Sequence, residues 1–214
     1  MNLHDVLTAR KSAATRIGWP ALFLKAFGLV AVQIPEFRQT WYRWPWAHLY
    51  QHPSSVAAMT MQRIVNDERW LFWVNVPNPH ELALTEIQKR LDWSQNSSVE
   101  TAFSKQWRLA HLPTPLRRLL WWLNINIAAK ARARRLGTFF LSTLASRGAE
   151  IQVPPSIHTC CLTYGPLDEN SVCRVTLGYD HRVMDGALVA EGLQLLEQIL
   201  NTVIVDELKS LSSS

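Results

Sequence analysis

The sequence predicts an α+β two-layer sandwich, a mixed sheet with helices laid over one face. Three observations carry this. Strand-like and helix-like stretches follow one another without strict alternation, which argues against a repeated βαβ unit. The apolar run from Trp19 to Val32 has the length and composition of one buried helix. At the other end, an extended run over Val172 to Tyr179 leads into a predicted helix over Asp185 to Leu200. Leu188, Gly192, Leu195, Leu196, Ile199 and Leu200 recur there at helical spacing, so one stripe packs on a sheet.

The elements follow in order. Asp5 to Arg16 reads as a short helix, and Trp19 to Val32 as the buried one, with Pro20 in its first turn and Pro35 closing it. Ser55 to Val65 and Arg69 to Val76 read as a strand pair turned at Asn66-Asp67-Glu68. Helices are predicted over Asn78 to Leu91, Ser98 to His111 and Pro113 to Ala133. Three strands follow at Thr138 to Thr143, His158 to Tyr164 and Val172 to Tyr179, and then the last helix. No internal repeat or long Gly/Ser/Pro linker divides the chain, so 1–214 reads as one domain, with a frayed Ser212-Ser213-Ser214 tail.

Composition narrows the class. Apolar residues make up 48% and charged residues 18% of 214 residues, which excludes general disorder. Of ten tryptophans, seven cluster at Trp41, Trp44 and Trp46, at Trp70 and Trp73, and at Trp121 and Trp122; such clusters suit pockets and interfaces as well as cores. No secretory signal opens the chain, and the run from Trp19 to Ile34 is interrupted by Lys25 and Gln33, short of the ~20 uncharged residues of a membrane span. Cys160, Cys161 and Cys173 form no Cys-x-x-Cys pair, so small core residues in a reducing, cytoplasmic setting are expected.

The net charge of +5 is unevenly spread. Lys105, Arg108, Arg117, Arg118, Lys130, Arg132, Arg134, Arg135 and Arg147 lie between Glu100 and Glu150 with no acidic residue among them. That block either attracts an anion, such as a cofactor phosphate or an acidic membrane, or forms a solvated basic face. It has no helix-turn-helix or zinc-finger spacing, so nucleic acid is not expected as a partner. His48 and His52, four apart, would share one face of a helix, but no third metal ligand is placed beside them. His158 falls inside a predicted strand as a satisfied core residue. There is no Gly-x-Ser-x-Gly elbow of an α/β-hydrolase.

The chemistry concentrates at the last strand–helix junction, Asp180-His181-Arg182-Val183-Met184-Asp185-Gly186. A histidine at the end of a rigid strand is held firmly, and an ordinary pKa of ~6.5 lets it accept a proton near neutrality. Asp185 lies four residues on, and Gly186 permits close backbone approach.

The stretch Asp180 to Ala187 resembles the active-site signature of the dihydrolipoamide acyltransferases, the catalytic cores of 2-oxoacid dehydrogenase complexes, and is similar to that of chloramphenicol acetyltransferase. Other segments resemble the family in the same order. They are Leu24-Lys25-Ala26 through Ile34-Pro35-Glu36-Phe37-Arg38, Gly137-Thr138-Phe139-Phe140-Leu141-Ser142, and Val153-Pro154-Pro155 with the strand ending at Gly165.

The resemblance implies a chloramphenicol acetyltransferase-like fold and a CoA-dependent acyltransferase. His181 would be the general base and Ser142 the oxyanion donor. Asp185 would pair with an arginine, drawn from Arg10, Arg16 and Arg182, while Gly137, Arg182 and Gly186 shape the site. CoA or acyl-CoA would serve as co-substrate, without a metal and without a lipoyl group on this chain. A homotrimer would carry each site between subunits. Lipoyl and peripheral-subunit-binding domains are absent from the sequence, so the other readings are a core served by a separate lipoyl protein and a non-catalytic trimeric scaffold. The segment 107–135 departs from the family. It suggests a lipid-like acceptor or peripheral membrane contact, or else a core helix with snorkelling arginines.

Overall fold

The computed structural model describes residues 1–153 and 156–212. Pro154 and Pro155 of the Pro-Pro segment, and Ser213 and Ser214 of the tail, lie outside the described residues.

The chain begins with α1 (His4–Ser12) and α2 (Trp19–Gln33). A short hairpin follows, β1 (Gln39–Tyr42) with β2 (His48–Gln51), and then a long one, β3 (Val56–Val65) with β4 (Glu68–Pro77). Five helices come next: α3 (Leu84–Asn96), α4 (Val99–Ala102), α5 (Ser104–Ala110), α6 (Thr114–Asn126) and α7 (Ala129–Leu136). They lead to β5 (Phe139–Thr143), β6 (Cys160–Leu167) and β7 (Cys173–Tyr179). The last helix, α8 (Gly186–Ile199), continues through a π turn at Leu200–Ile204 into α9 (Val205–Ser210).

The main sheet has the order β4-β3-β5-β6-β7. Its centre is parallel, β5 pairing with β3 and β6, and its two outer pairs are antiparallel. It is the expected mixed sheet.

Local chemistry explains where the elements stop. The β3–β4 turn puts Asn66 and Asp67 at φ 50° and 63°, the left-handed region that a two-residue hairpin turn requires. In α2 the residues Ala21 to Gly28, with Val30 and Ala31, are buried; the helix is apolar all round because it lies in the core. Lys25 is buried with them but forms an ion pair with Glu207 of α9, whose other oxygen accepts from the Leu84 N–H at 2.7 Å. One carboxylate therefore ties three helices together. α8 rests against Phe37 at Gly192, where a Cβ would stand 2.4 Å from the ring, so only glycine permits that approach.

Phe23, Phe27, Phe37, Phe139, Leu141 and Leu162 are fully buried in the core beneath the helical layer. On the other pleat of the sheet, Ala58, Phe140 and Cys161 form a small second cluster with Trp73. The run Gly186–Ser210 is long and apolar enough to cross a membrane by length and composition. It packs nonetheless as a core helix, burying Val189, Leu196, Ile199, Leu200, Ile204, Val205 and Leu208.

Several expectations need correction. The predicted helix over Asn78 to Leu91 starts later, since Asn78 takes φ 47° and the cap forms at Ala83, whose N–H donates to Glu86 at 3.1 Å. The predicted helix over Ser98 to His111 is two helices. Phe103 leaves helical geometry at φ −126°, ψ 27° to stack on Phe72 at 4.6 Å. His48 and His52 belong to strand β2 and its end, not to a helix. His158 precedes β6 rather than lying in it. Of the two readings of 107–135, the core helix does not hold for α6, where Asn124 is the only buried residue.

Candidate active site

The turn after β7 is fixed from both ends. The Asp180 N–H donates to the Thr159 carbonyl at 2.9 Å, and the Asp180 carbonyl accepts from Val183 at 2.9 Å. Asp185 caps α8, its Oδ1 accepting from the Leu188 N–H at 2.9 Å, the N-cap geometry that satisfies a first-turn donor. Met184 is buried between these anchors. The intervening His181 is held by its backbone and stands exposed, with the Tyr179 ring 5.6 Å away.

Among the described residues, none of Arg10, Arg16 and Arg182 forms an ion pair with Asp185. Arg182 turns to Asp180, donating through Nε at 2.8 Å and Nη2 at 2.6 Å, with its guanidinium 4.1 Å from the Trp41 ring centroid. Arg10 donates to the Ile17 carbonyl at 2.5 Å and lies over Trp19. The hydrogen bonds from Arg182 hold the Asp180 carboxyl below the usual carboxylate range. The residue at i−2 from Arg182 carries the pairing because a fork donor can fold back across one turn.

Ser142 is half-buried near the C-terminal end of β5, level with Thr163 on β6, which is level with Thr176 on β7. It points to the same side as Phe140, away from Phe139 and Leu141 in the main core. Gly137 ends α7 at φ 93°, two residues before β5, with a Cβ position 2.5 Å from Ala58; a side chain there would push this segment away from β3. Tyr179 is level with Cys160 and Phe139, so His181 lies past the opposite end of the sheet from Ser142. Strand spacings separate them by roughly 10 Å across two strands and at least about 10 Å along them. Within one chain the two residues are not brought together.

Sequence reasoning missed two neighbours. Trp41 comes from the β1–β2 hairpin, which was not expected at all. Arg132 of α7 is buried, donating to the carbonyls of Ile125 at 3.2 Å and Ile157 at 2.5 Å, beneath the Tyr42 ring at 5.3 Å. Its charge also acts on His52, His158 and Asp180. A lone arginine in a basic block gives no hint in sequence that it is the buried one. The three cysteines are buried, and burial raises their thiols, Cys161 to about 12 and Cys173 to about 11. They are packing residues, too poorly ionised for nucleophilic work.

No protein-family model and no curated protein matches the sequence. Solved structures do match in three dimensions. A probable dihydrolipoamide acetyltransferase from Listeria monocytogenes superposes with a TM-score of 0.61 at 16% identity, over 94% of this chain and 81% of that one. The cubic core of the pyruvate dehydrogenase multienzyme complex gives 0.57 at 15% identity, over 92% and 73%. A chloramphenicol acetyltransferase gives 0.52 at 11%, over 98% and 84%. In fold, therefore, this chain is like the dihydrolipoamide acetyltransferase cores and chloramphenicol acetyltransferase, as the stretch around His181 led one to expect.

Proposed function

We propose that the chain is a CoA-dependent acyltransferase, moving an acyl group from acyl-CoA to a hydroxyl, amine or thiol acceptor. The observation that carries this is His181, exposed on a turn pinned by Thr159 at one end and by the Asp185 cap at the other, in a fold shared with acetyltransferases. His181 takes the proton from the acceptor as its heteroatom attacks the thioester carbonyl. The Ser142 hydroxyl donates to the oxyanion that forms. As the tetrahedral intermediate collapses, the C–S bond breaks and the thiolate of CoA leaves with the proton held by His181. A placed general base contributes about 10²–10⁴-fold, and one oxyanion donor about 10²–10³-fold.

Because His181 and Ser142 of one chain are far apart, the reading takes them from neighbouring subunits of a homotrimer. Asp185 acts as a helix cap that fixes the turn. The phosphates of CoA need cations, and α7 offers exposed Lys130, Arg134 and Arg135 just before β5.

The test is release of free CoA from acyl-CoAs of graded chain length, with mixed nucleophiles as acceptors, for wild type and His181→Ala. Release that falls at least about 100-fold in the variant, with the oligomer intact, is expected. Equal rates for the two would sink the mechanism. No release and no acyl-CoA binding by either would favour the scaffold reading.

A further inference from the structure

The helix α6 presents its apolar stripe to solvent. Leu116, Leu120, Leu123 and Ile127 recur at helical spacing with Leu119 beside them, and all five are exposed, Leu119 and Ile127 by more than half. The side turned to the protein is mixed: Trp121 and Ile125 are half-buried there, Asn124 is buried and accepts from Arg135 at 3.1 Å, and Arg117 donates to the Ala110 carbonyl at 2.9 Å. The leucine stripe, which a surface helix normally turns to the core, is left facing solvent. The apolar surface continues beyond α6, since Trp122 meets Trp44 of the β1–β2 loop with ring centroids 6.4 Å apart. In that loop Trp44 and Trp46 are 52% and 70% exposed.

We infer that this face, α6 together with the Trp44–Trp46 loop, seats on an anionic lipid bilayer. Leucines and isoleucine can enter the acyl boundary, while tryptophans lie at headgroup level. The charge matches such a partner. Residues 101–149 hold nine Lys and Arg and no Asp or Glu, with Arg118 and Lys130 exposed, and Arg43 is exposed in the loop. The same charge opposes a second copy of the face, which would bring like charges together.

The hairpin also links the face to the turn described above, because Trp41 on β1 stacks on Arg182 beside His181. Resting on the acyltransfer reading, the acceptor would be a lipid held in that bilayer.

The test uses the full chain and two kinds of vesicle, phosphatidylcholine alone and phosphatidylcholine mixed with phosphatidylglycerol. The wild type is expected to sediment with the anionic vesicles, and its tryptophan emission to be quenched by brominated lipid. Trp44→Ser/Leu120→Ser/Leu123→Ser should weaken binding at least about tenfold, and Arg118→Gln about fivefold. Both variants should keep the wild-type thermal midpoint, oligomer size and CoA release with a water-soluble acceptor. Wild type that stays in the supernatant with both vesicles would overturn the inference. So would a triple variant that binds as wild type does, or one whose oligomer is smaller, which would make the face an interface between copies. Vesicle binding without any CoA release would support the surface and remove only the acyltransfer reading.

Discussion

Two histidines are held neutral inside the protein, and this sets a pH dependence for its stability. Burial pushes His158 down to about 4; the Leu136 carbonyl on its Nε2 opposes the shift and Arg132 adds to it. Burial, and then Arg132, take His52 down to about 4 as well. In the unfolded chain both titrate near ~6.5. Between those values the unfolded state binds more protons, so stability rises with pH there. The contribution is complete above the unfolded value and is lost as pH falls toward the folded one, at on the order of 1–3 kcal/mol for each histidine. Urea midpoints taken across this window should fall as the pH is lowered from about 6.5 toward 4, and His52→Gln or His158→Gln should each flatten the slope. An unchanged slope in both variants would show that other groups govern it. The exposed turn that carries His181 was legible from its motif. The Arg182–Asp180 pairing was not, because several arginines could have reached the turn and only packing on Trp41 selects one.

At the level of elements, the strands were legible where local chemistry and tertiary context agree. The β3–β4 hairpin has ten-residue strands and a turn dipeptide that tolerates positive φ. The β1–β2 hairpin escaped notice because its strands have four residues each, below the length at which alternation is visible, with Pro45 in the loop between them. For α6 the sequence left a core helix and a surface-facing apolar helix both open, because periodicity reports that a stripe exists and not which way it faces. The β3–β4 turn yields a prediction at this scale. Asp67 at φ 63° occupies the second central position, where glycine is preferred. Asp67→Gly should stabilise the protein by about 0.5–1 kcal/mol, read as a higher denaturant midpoint. A lower midpoint would mean that the Asp67 side chain contributes more than its backbone strain costs.

For the molecule as a whole, the decisive geometry is that β5 and β7 carry Ser142 and His181 toward opposite ends of one sheet. On the proposed reading a single subunit holds two half-sites, and activity belongs to the assembly. This can be tested without knowing the acceptor. His181→Ala chains and Ser142→Ala chains are each expected to be nearly inactive alone. Unfolded together and refolded as mixed trimers, each site would draw its histidine from one chain and its serine from the next. With random assembly half of each contribution is wild type, so roughly a quarter of all sites are intact, and CoA release should recover to about a quarter of the wild-type rate. Recovery of that size would be hard to obtain from sites made within one chain, since no mixed trimer would then contain an intact one. If the mixture stays as inactive as its parents while mixed trimers are demonstrably present, the intersubunit site is wrong, and His181 must act with a donor from its own chain.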